Sequence, residues 1–458
     1  MPSDTSRSER TMRILMVAEN ISLRLSGETI VPWHYMLELL AAGHDLRVLC
    51  HVRVREHLRA DLPPEIFARI AFAEDTRLQR CLSALERVLP HRMHDLIVNQ
   101  LIAVLSQFRM RAIARTVIAE HAIDVVFQPA PIAAKAVSAL FDLGCPVVIG
   151  PMSGGMDLPP GFRRLDGPAV RAAIAVARGA SHLLHRLIPG KRRAAALIVA
   201  NDRTRAALPA TDGPRIHYLM ESGVDLKRWP MRPARRDTAH ADADPRVCFI
   251  FCGRFVDWKG IGYLVRAFAP LAREGGVRLD LVGDGELFAA VADQVADARL
   301  DGDVVLHGRL SVDDYIALLH ETDVFVTPSL RECGGMAMME AMAIGLPVIG
   351  VDWAGAAQYA SPACVLLVPP ASEDALIAGL TRAMRTLRDD AALRAAMGLA
   401  ARRHLEQQGL GWDTKAAEVL TILSQAVAEY RGESHALSSR AVPKRAPAPG
   451  TDQTLLGA

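Results

Sequence analysis

The sequence predicts an α/β protein made of two consecutive doubly wound, parallel-sheet domains that face each other across a cleft. Three observations carry this prediction. Short apolar runs of buried-strand length recur along both halves of the chain, helical patterns separate most of them, and the repetition breaks once, between Leu226 and Arg246.

The first half opens with an apolar run at 12–18, then a loop at 20–28 that carries Gly27. A helical pattern follows through Trp33, Met36, Leu37, Leu40 and Ala41, stopped by Gly43-His44, and a second strand runs over 46–50. Strand, helix and strand in that order imply parallel pairing, because a parallel partner needs a crossover. Further strands are expected at 124–127, 146–149, 197–200 and 216–219. The segment 227–245 has Pro and charge but no periodicity and reads as a linker between domains 12–226 and 246–410. The second domain repeats the grammar, with strands at 247–252, 278–282, 304–307, 324–327, 347–350 and 365–368 and helices over 260–271 and 286–296. A last helix, 411–431, follows the second sheet and is expected to cross back to the first domain. The ends, 1–11 and 432–458, are polar or rich in Pro, Ser, Ala and Gly, and are expected to be disordered.

Composition narrows the function. Half of the 458 residues are hydrophobic and 23% are charged, which suits a globular enzyme and excludes a collagen-like or disordered chain. A formal charge of +2 argues against a nucleic-acid partner, and 5% aromatics argue against a binder built on aromatic platforms. Seven cysteines without paired spacing suit reduced thiols and a cytoplasmic location. No run reaches the roughly 18 apolar residues of a membrane span, and the first eleven residues lack the apolar core of a signal peptide.

In open parallel sheets ligands bind beyond the carboxyl ends of the strands, so motifs at strand ends carry the chemistry. After the strand 324–327 comes a loop with Glu332, Cys333, Gly334 and Gly335, then a helix beginning Met336-Ala337 with Glu340 inside it. A glycine-led helix start offers free N–H groups to an anion, while the two carboxylates suit hydroxyl groups. Diphosphate and hydroxyls together describe a nucleotide sugar; the alternative is an ordinary helix start with dipole-favoured acids. After the strand 247–252 come Gly253, Arg254, Lys259 and Gly260, two cations able to stabilise a leaving diphosphate without a metal, or else merely solvated.

These segments resemble the family-4 retaining glycosyltransferases of the GT-B fold, which pairs two Rossmann-like domains. The Gly253-Arg254 to Lys259-Gly260 segment, Gly283-Asp284-Gly285, His307-Gly308-Arg309 and the Glu332 to Glu340 segment running on to Pro347 match in order and spacing, and Ser222 to Asp225 resembles the turn closing the first domain. In the first domain the match is weaker: Gly27, Gly43-His44 and Gly154-Gly155. The resemblance implies that Arg254 and Lys259 hold the donor diphosphate, Glu332 meets the donor sugar and Glu340 the ribose. It implies that amides from Gly335 to Ala337, with Met336 between, contact sugar or phosphate. Gly308 and Arg309 would hold the base, and Gly27 would approach the phosphate. Front-side displacement with retention, and a nucleoside-diphosphate sugar as co-substrate with no cofactor, follow from the resemblance alone.

Two departures stand out. Gln128 occupies the place where many relatives carry a sugar-contacting His, and Cys333-Gly334 replaces an aromatic before Gly335. Acceptor-side candidates are Glu28, His34, Gln128 and Ser153 with Gly154 and Gly155, the last three reading equally as a structural turn.

His91/His94 and His182/His185 have no nearby Cys or carboxylate to complete a metal site, and Asp242/Asp244 and Asp301/Asp303 lie before strands, away from the cleft edge, so no metal is expected. Cys248 and Cys252 read as core. Between Gly161 and Arg205 stand ten Arg and Lys (Arg163, Arg164, Arg171, Arg178, Arg186, Lys191, Arg192, Arg193, Arg203, Arg205) against Asp166 and Asp202. This is either a solvated cationic face or a surface for the anionic inner leaflet. The expected function is transfer of a sugar from a nucleoside-diphosphate sugar to a carbohydrate or lipid-linked acceptor. The alternatives are a nucleotide-sugar-binding protein without turnover and a sugar-nucleotide epimerase.

Overall fold

The computed structural model describes residues 11–432 apart from 26, 85–97, 130–132, 166, 168–180, 182, 210–214 and 233–245. Arg171 and Arg178, His91, His94, His182, Asp166, Asp242 and Asp244, both chain ends and most of the expected linker therefore lie outside the described residues.

Two all-parallel sheets organise the chain. The first contains β1 (Arg13–Val17), β2 (Asp45–His51), β3 (Ile70–Ala73), β4 (Val125–Gln128), β5 (Val147–Met152), β6 (Ala196–Val199) and β7 (Arg215–Tyr218), in the order β3-β2-β1-β4-β5-β6-β7. The second contains β8 (Val247–Cys252), β9 (Val277–Val282), β10 (Val304–Gly308), β11 (Val324–Thr327), β12 (Val348–Val351) and β13 (Val365–Val368), in the order β10-β9-β8-β11-β12-β13. The doubly wound arrangement expected from the repeated apolar runs is present in both halves. Helices cover both faces of each sheet, so the central strands bury both faces and read as continuous apolar runs rather than as alternation. The edge strand β3, Ile-Ala-Phe-Ala, escaped the sequence reading because four residues with half-buried centres give neither a run nor a period.

Three helices position the site. Helix α1 (Gly27–Ala41) follows β1, and Gly43, at φ +80°, breaks the chain after it. Helix α2 (Met336–Ile344) follows β11, starting after Gly335 at φ +60° and ending at Gly345 at φ +92°. Helix α3 (Trp412–Tyr430) leaves the second domain and lies on the first. Its Trp412, Ala416, Val419, Leu423 and Val427 share one buried cluster with Ile14, Met36 and Leu39.

The chain passes between the domains at two adjacent places. Val224 forms an isolated parallel bridge with Gly411, with the Val224 N–H on the Leu410 carbonyl at 3.0 Å and the Trp412 N–H on the Val224 carbonyl at 3.2 Å. A third crossing runs against the simple 12–226 division. Leu158 and Phe162 belong to the second domain's core, Phe162 stacks edgewise on Tyr263, and the Trp353 indole N–H donates to the Asp157 carbonyl at 2.9 Å.

Candidate functional site

Two loops meet where the strand order of the second sheet reverses. One follows β8 and spans 253–260; the other follows β11 and spans 328–335. Because β8 and β11 are direct neighbours, topology alone sets these loops side by side. Backbone contacts then join them: the Leu330 N–H donates to the Trp258 carbonyl at 2.8 Å. Gly260, at φ +70°, lies so close that a Cβ there would stand 2.4 Å from the Pro328 carbonyl oxygen. Lys259 Nζ donates to the Glu332 carboxylate, with the side chains 19% and 20% exposed. Arg254 is exposed, and its guanidinium stands 5.6 Å from the Trp258 ring centroid. Among the described residues no carboxylate pairs with it.

The start of α2 lies next to this ion pair. Gly335 caps the helix with no side-chain hydrogen bond, so the first-turn amides and the positive end of the helix dipole remain for a ligand. The carbonyl of Gly335 accepts from the Tyr359 hydroxyl at 3.4 Å. Behind the loop, the Gly355 N–H donates to the Glu332 carbonyl at 3.0 Å. From the first domain, Gly27 meets Met336, whose Cε would stand 2.8 Å from a Cβ at position 27. The Ser153 hydroxyl lies within hydrogen-bonding reach of the Cys333 thiol. Gly334 sits on Ser222 and Glu221, its hypothetical Cβ only 2.1 Å from Ser222 Oγ and 3.1 Å from Glu221 Oε1. The space beside Gly334 is thus taken by the domain connection.

Burial dominates the electrostatics. It pushes the Glu340 carboxyl up to about 7, against the pull of Arg228. It raises Glu221 to about 7 as well, with Glu332 adding to the rise while Lys415 opposes it. Cys333 is raised to about 12 by burial and then by Glu221, with Glu332 and Glu28 contributing. The site therefore has a cationic flank at Arg254, an uncapped helix start, and carboxylates on the remaining sides. Such a site accepts an anion at one end and hydroxyl groups at the other.

Residues 246–386 match the family model "Glycosyl transferases group 1". Residues 246–386 are thus similar to a glycosyltransferase domain. Similar proteins include a Corynebacterium glutamicum GDP-mannose-dependent monoacylated alpha-(1-6)-phosphatidylinositol monomannoside mannosyltransferase, 31% identical over 46% of this chain and 56% of that protein. A D-inositol 3-phosphate glycosyltransferase of Pseudarthrobacter chlorophenolicus is 31% identical over 54% of this chain and 59% of its own length. The chain thus matches little more than half the length of these relatives. The fold matches over nearly the whole chain: Anabaena Alr3699/HepE in complex with UDP and glucose superposes with a TM-score of 0.60 at 16% identity, covering 90% of this chain and 99% of that one. WaaG, a glycosyltransferase involved in lipopolysaccharide biosynthesis, gives 0.58 at 16% identity, covering 90% and 100%. The architecture is GT-B.

Within the matched segment, Gly253 donates its N–H to the Val282 carbonyl at 3.0 Å, and Gly283 crowds its carbonyl. Gly308, at φ +65°, accepts from the Gly283 N–H at 2.8 Å, and Arg309 is exposed beside it. Asp280 holds His307 at 2.7 Å and Arg278 at 3.0 Å, which ties β10 to β9. Glu28 is exposed in the first turn of α1.

Several expectations change in the first domain. Gln128 does not face the cleft: it is 1% exposed, and its amide donates to Gln107 at 3.2 Å and accepts from Ser138 at 2.6 Å inside the domain. His34 lies flat on Trp412, ring centroids 4.7 Å apart, and burial lowers it to about 4, so it packs α1 on α3 rather than serving as an acceptor-side base. Gly155 is a structural turn residue, since a Cβ at its φ of +70° would stand 2.7 Å from the Arg203 carbonyl oxygen. Gly154 accepts from the Thr204 hydroxyl at 3.2 Å. Lys191 leaves the cationic face, being 1% exposed with Nζ donating to the Ala133 and Ala134 carbonyls. Among the described residues no three His, Cys, Asp or Glu side chains gather as a metal site.

Sequence reading missed Glu221, Trp258 and Tyr359. Glu221 adjoins the recognised turn at Ser222, but no sequence pattern links position 221 to the loop that begins at Glu332, 111 residues later.

Proposed function

We propose that the chain is a retaining glycosyltransferase that moves a sugar from a nucleoside-diphosphate sugar to a carbohydrate or lipid-linked acceptor, with fixed cations rather than a metal ion taking up the leaving-group charge. One observation carries this: Lys259 and Glu332, from separate strand-end loops, meet beside an uncapped helix start that Gly27 of the other domain touches. Arg254, Lys259 and the amides from Gly335 to Ala337 grip the diphosphate, whose negative charge grows as the sugar bond breaks. Glu332 orients the donor sugar, Glu340 takes ribose hydroxyls, and the backbone at Gly308 and Arg309 takes the base. The acceptor enters from the first domain past the exposed Glu28, while Ser153, buried against the Cys333 thiol, borders that path from inside. The names of the mannosyl- and inositol-phosphate-directed relatives support sugar transfer to a polar-lipid or polyol acceptor.

A thermal-shift panel of UDP, GDP and ADP and their sugars tests the donor reading. A bound diphosphate at a hundred times its Kd adds about 2.7 kcal/mol to stability. No shift with any of them at millimolar concentration overturns the reading. Loss of the shift in EDTA overturns its metal-free part. Release of free diphosphate only with acceptor present separates transfer from binding or epimerisation, and the anomeric coupling of the product decides retention.

The chain is further proposed to work in the cytoplasm, peripherally on the inner face of the membrane. No helix among the described residues is long and apolar enough to cross a membrane. Support comes from exposed Leu183 and Leu187 beside exposed Arg186, Arg192 and Arg193. Sedimentation with anionic vesicles at low and high salt tests it, and absence of binding at low salt refutes it.

A further inference from the structure

The loop Glu332 to Gly335 is held from the connection between the domains. Glu221 is 2% exposed and Ser222 6%, and both press on Gly334, where no side chain fits. Gly334 lies outside the left-handed region, so space and not backbone conformation demands glycine there. Glu221 Oε1 is fully buried and has no hydrogen-bond partner. Folded proteins rarely retain such an atom without a compensating role. The groups around this carboxyl are Glu332, Lys415, Tyr359, Cys333 and the Gly334 N–H.

The backbone on both sides of this pair is anchored by α3. Lys415, itself buried, donates from Nζ to the Met220 carbonyl. On the other side its stem fills the room of a side chain at Gly223, with Cδ 2.8 Å from a hypothetical Cβ. One residue further on, Val224 bridges to Gly411. A rigid line thus runs from α3 through Lys415 to Glu221 and Ser222, and from them to the loop that carries Glu332.

We infer that Glu221, seated beside Ser222 on the domain connection, is a positioning residue that holds the Glu332–Gly335 loop in its ligand-ready shape. It acts through the loop and touches no substrate. The inference rests on the glycosyltransferase reading only for what the loop is ready to bind; the clamp itself is a matter of packing.

Cys333, half-buried within the loop, is a built-in reporter. Wild type, Glu221→Ala, Glu221→Gln and Glu221→Asp are alkylated with iodoacetamide, and the modified cysteines are assigned by peptide mass. Glu221→Ala should label Cys333 about tenfold faster, as expected when a loop opens locally. Glu221→Gln keeps shape and hydrogen-bonding reach and should stay within about twofold of wild type. Buried Cys145, in the first domain's core, should not change in either variant. Wild-type labelling of Cys333 in Glu221→Ala overturns the inference, and so does equal acceleration at Cys145. If Glu221→Ala does not fold, Glu221→Asp carries the test: it must label faster than Glu221→Gln, and equality overturns the inference. Where turnover is measured, Glu221→Ala should lower kcat and Glu221→Gln restore it. Labelling needs no nucleotide, so a wild type that binds no diphosphate removes the proposed function and leaves the clamp. Unchanged labelling removes the clamp and leaves the function.

Discussion

Replacing Lys259 by Met separates the two things this side chain does. It neutralises Glu332 and, in the proposed reaction, stabilises the departing diphosphate. Two unit charges about 4 Å apart attract by about 4 kcal/mol at an effective dielectric of about 20, much of it cancelled by desolvation. With each partner about one-fifth exposed, the pair lies between a surface pair worth at most about 1 kcal/mol and a buried one whose disruption costs about 3–5 kcal/mol. Lys259→Met should therefore cost about 2 kcal/mol and lower Tm by about 4–8 °C. Losing one preorganised charge from the transition state should reduce kcat by about 10²–10³-fold. The double variant Lys259→Met/Glu332→Gln removes the stranded carboxylate, so it should recover most of the lost Tm while turnover stays low. Calorimetry and donor-consumption kinetics on the four proteins of this cycle provide the assay. A Lys259→Met enzyme with wild-type kcat, or a double variant that regains activity with its stability, refutes the assigned role.

Gly334→Ala places a methyl 2.1 Å from Ser222 Oγ and should cost about 1–3 kcal/mol by overpacking; adding Ser222→Gly should return most of that loss in denaturant melts. Glu340 has a folded-state pKa near 7, above the ordinary carboxyl value. The folded protein therefore binds its proton more tightly, and the stability this contributes is full below about pH 4.5 and disappears as pH rises through 7. Glu340→Gln should accordingly match wild type in Tm near pH 4.5 and exceed it increasingly towards pH 8; an advantage that shrinks with rising pH contradicts the burial argument. Trp412, 3% exposed between His34 and Tyr35, anchors α3 on the first domain. Trp412→Ala should cost about 3–5 kcal/mol in urea unfolding, and a loss below 1 kcal/mol would show that α3 is held elsewhere.

The central strands were legible because a parallel sheet covered on both faces needs unbroken apolar segments, and the runs at 247–252, 324–327 and 365–368 coincide with β8, β11 and β13. The second domain's loops were legible for a related reason. Their glycines answer local demands, a left-handed backbone at Gly260, Gly308 and Gly335, and such demands leave a mark at fixed spacing. Gln128 and His34 were misread because their neighbours in space come from distant segments. Gln107 and Ser138 satisfy the one, and Trp412 covers the other.

The amino-acid order alone determined that two parallel α/β units follow one another and which loops lie at strand ends, since periodicity and glycine placement are local and written residue by residue. Only the tertiary structure decided what those loops face. It joined Lys259 to Glu332, set Gly27 on Met336 and pressed Glu221 against Gly334. These are contacts between segments tens to hundreds of residues apart. They are selected by complementary shape and charge once the sheets have formed, and no local pattern encodes such a pairing.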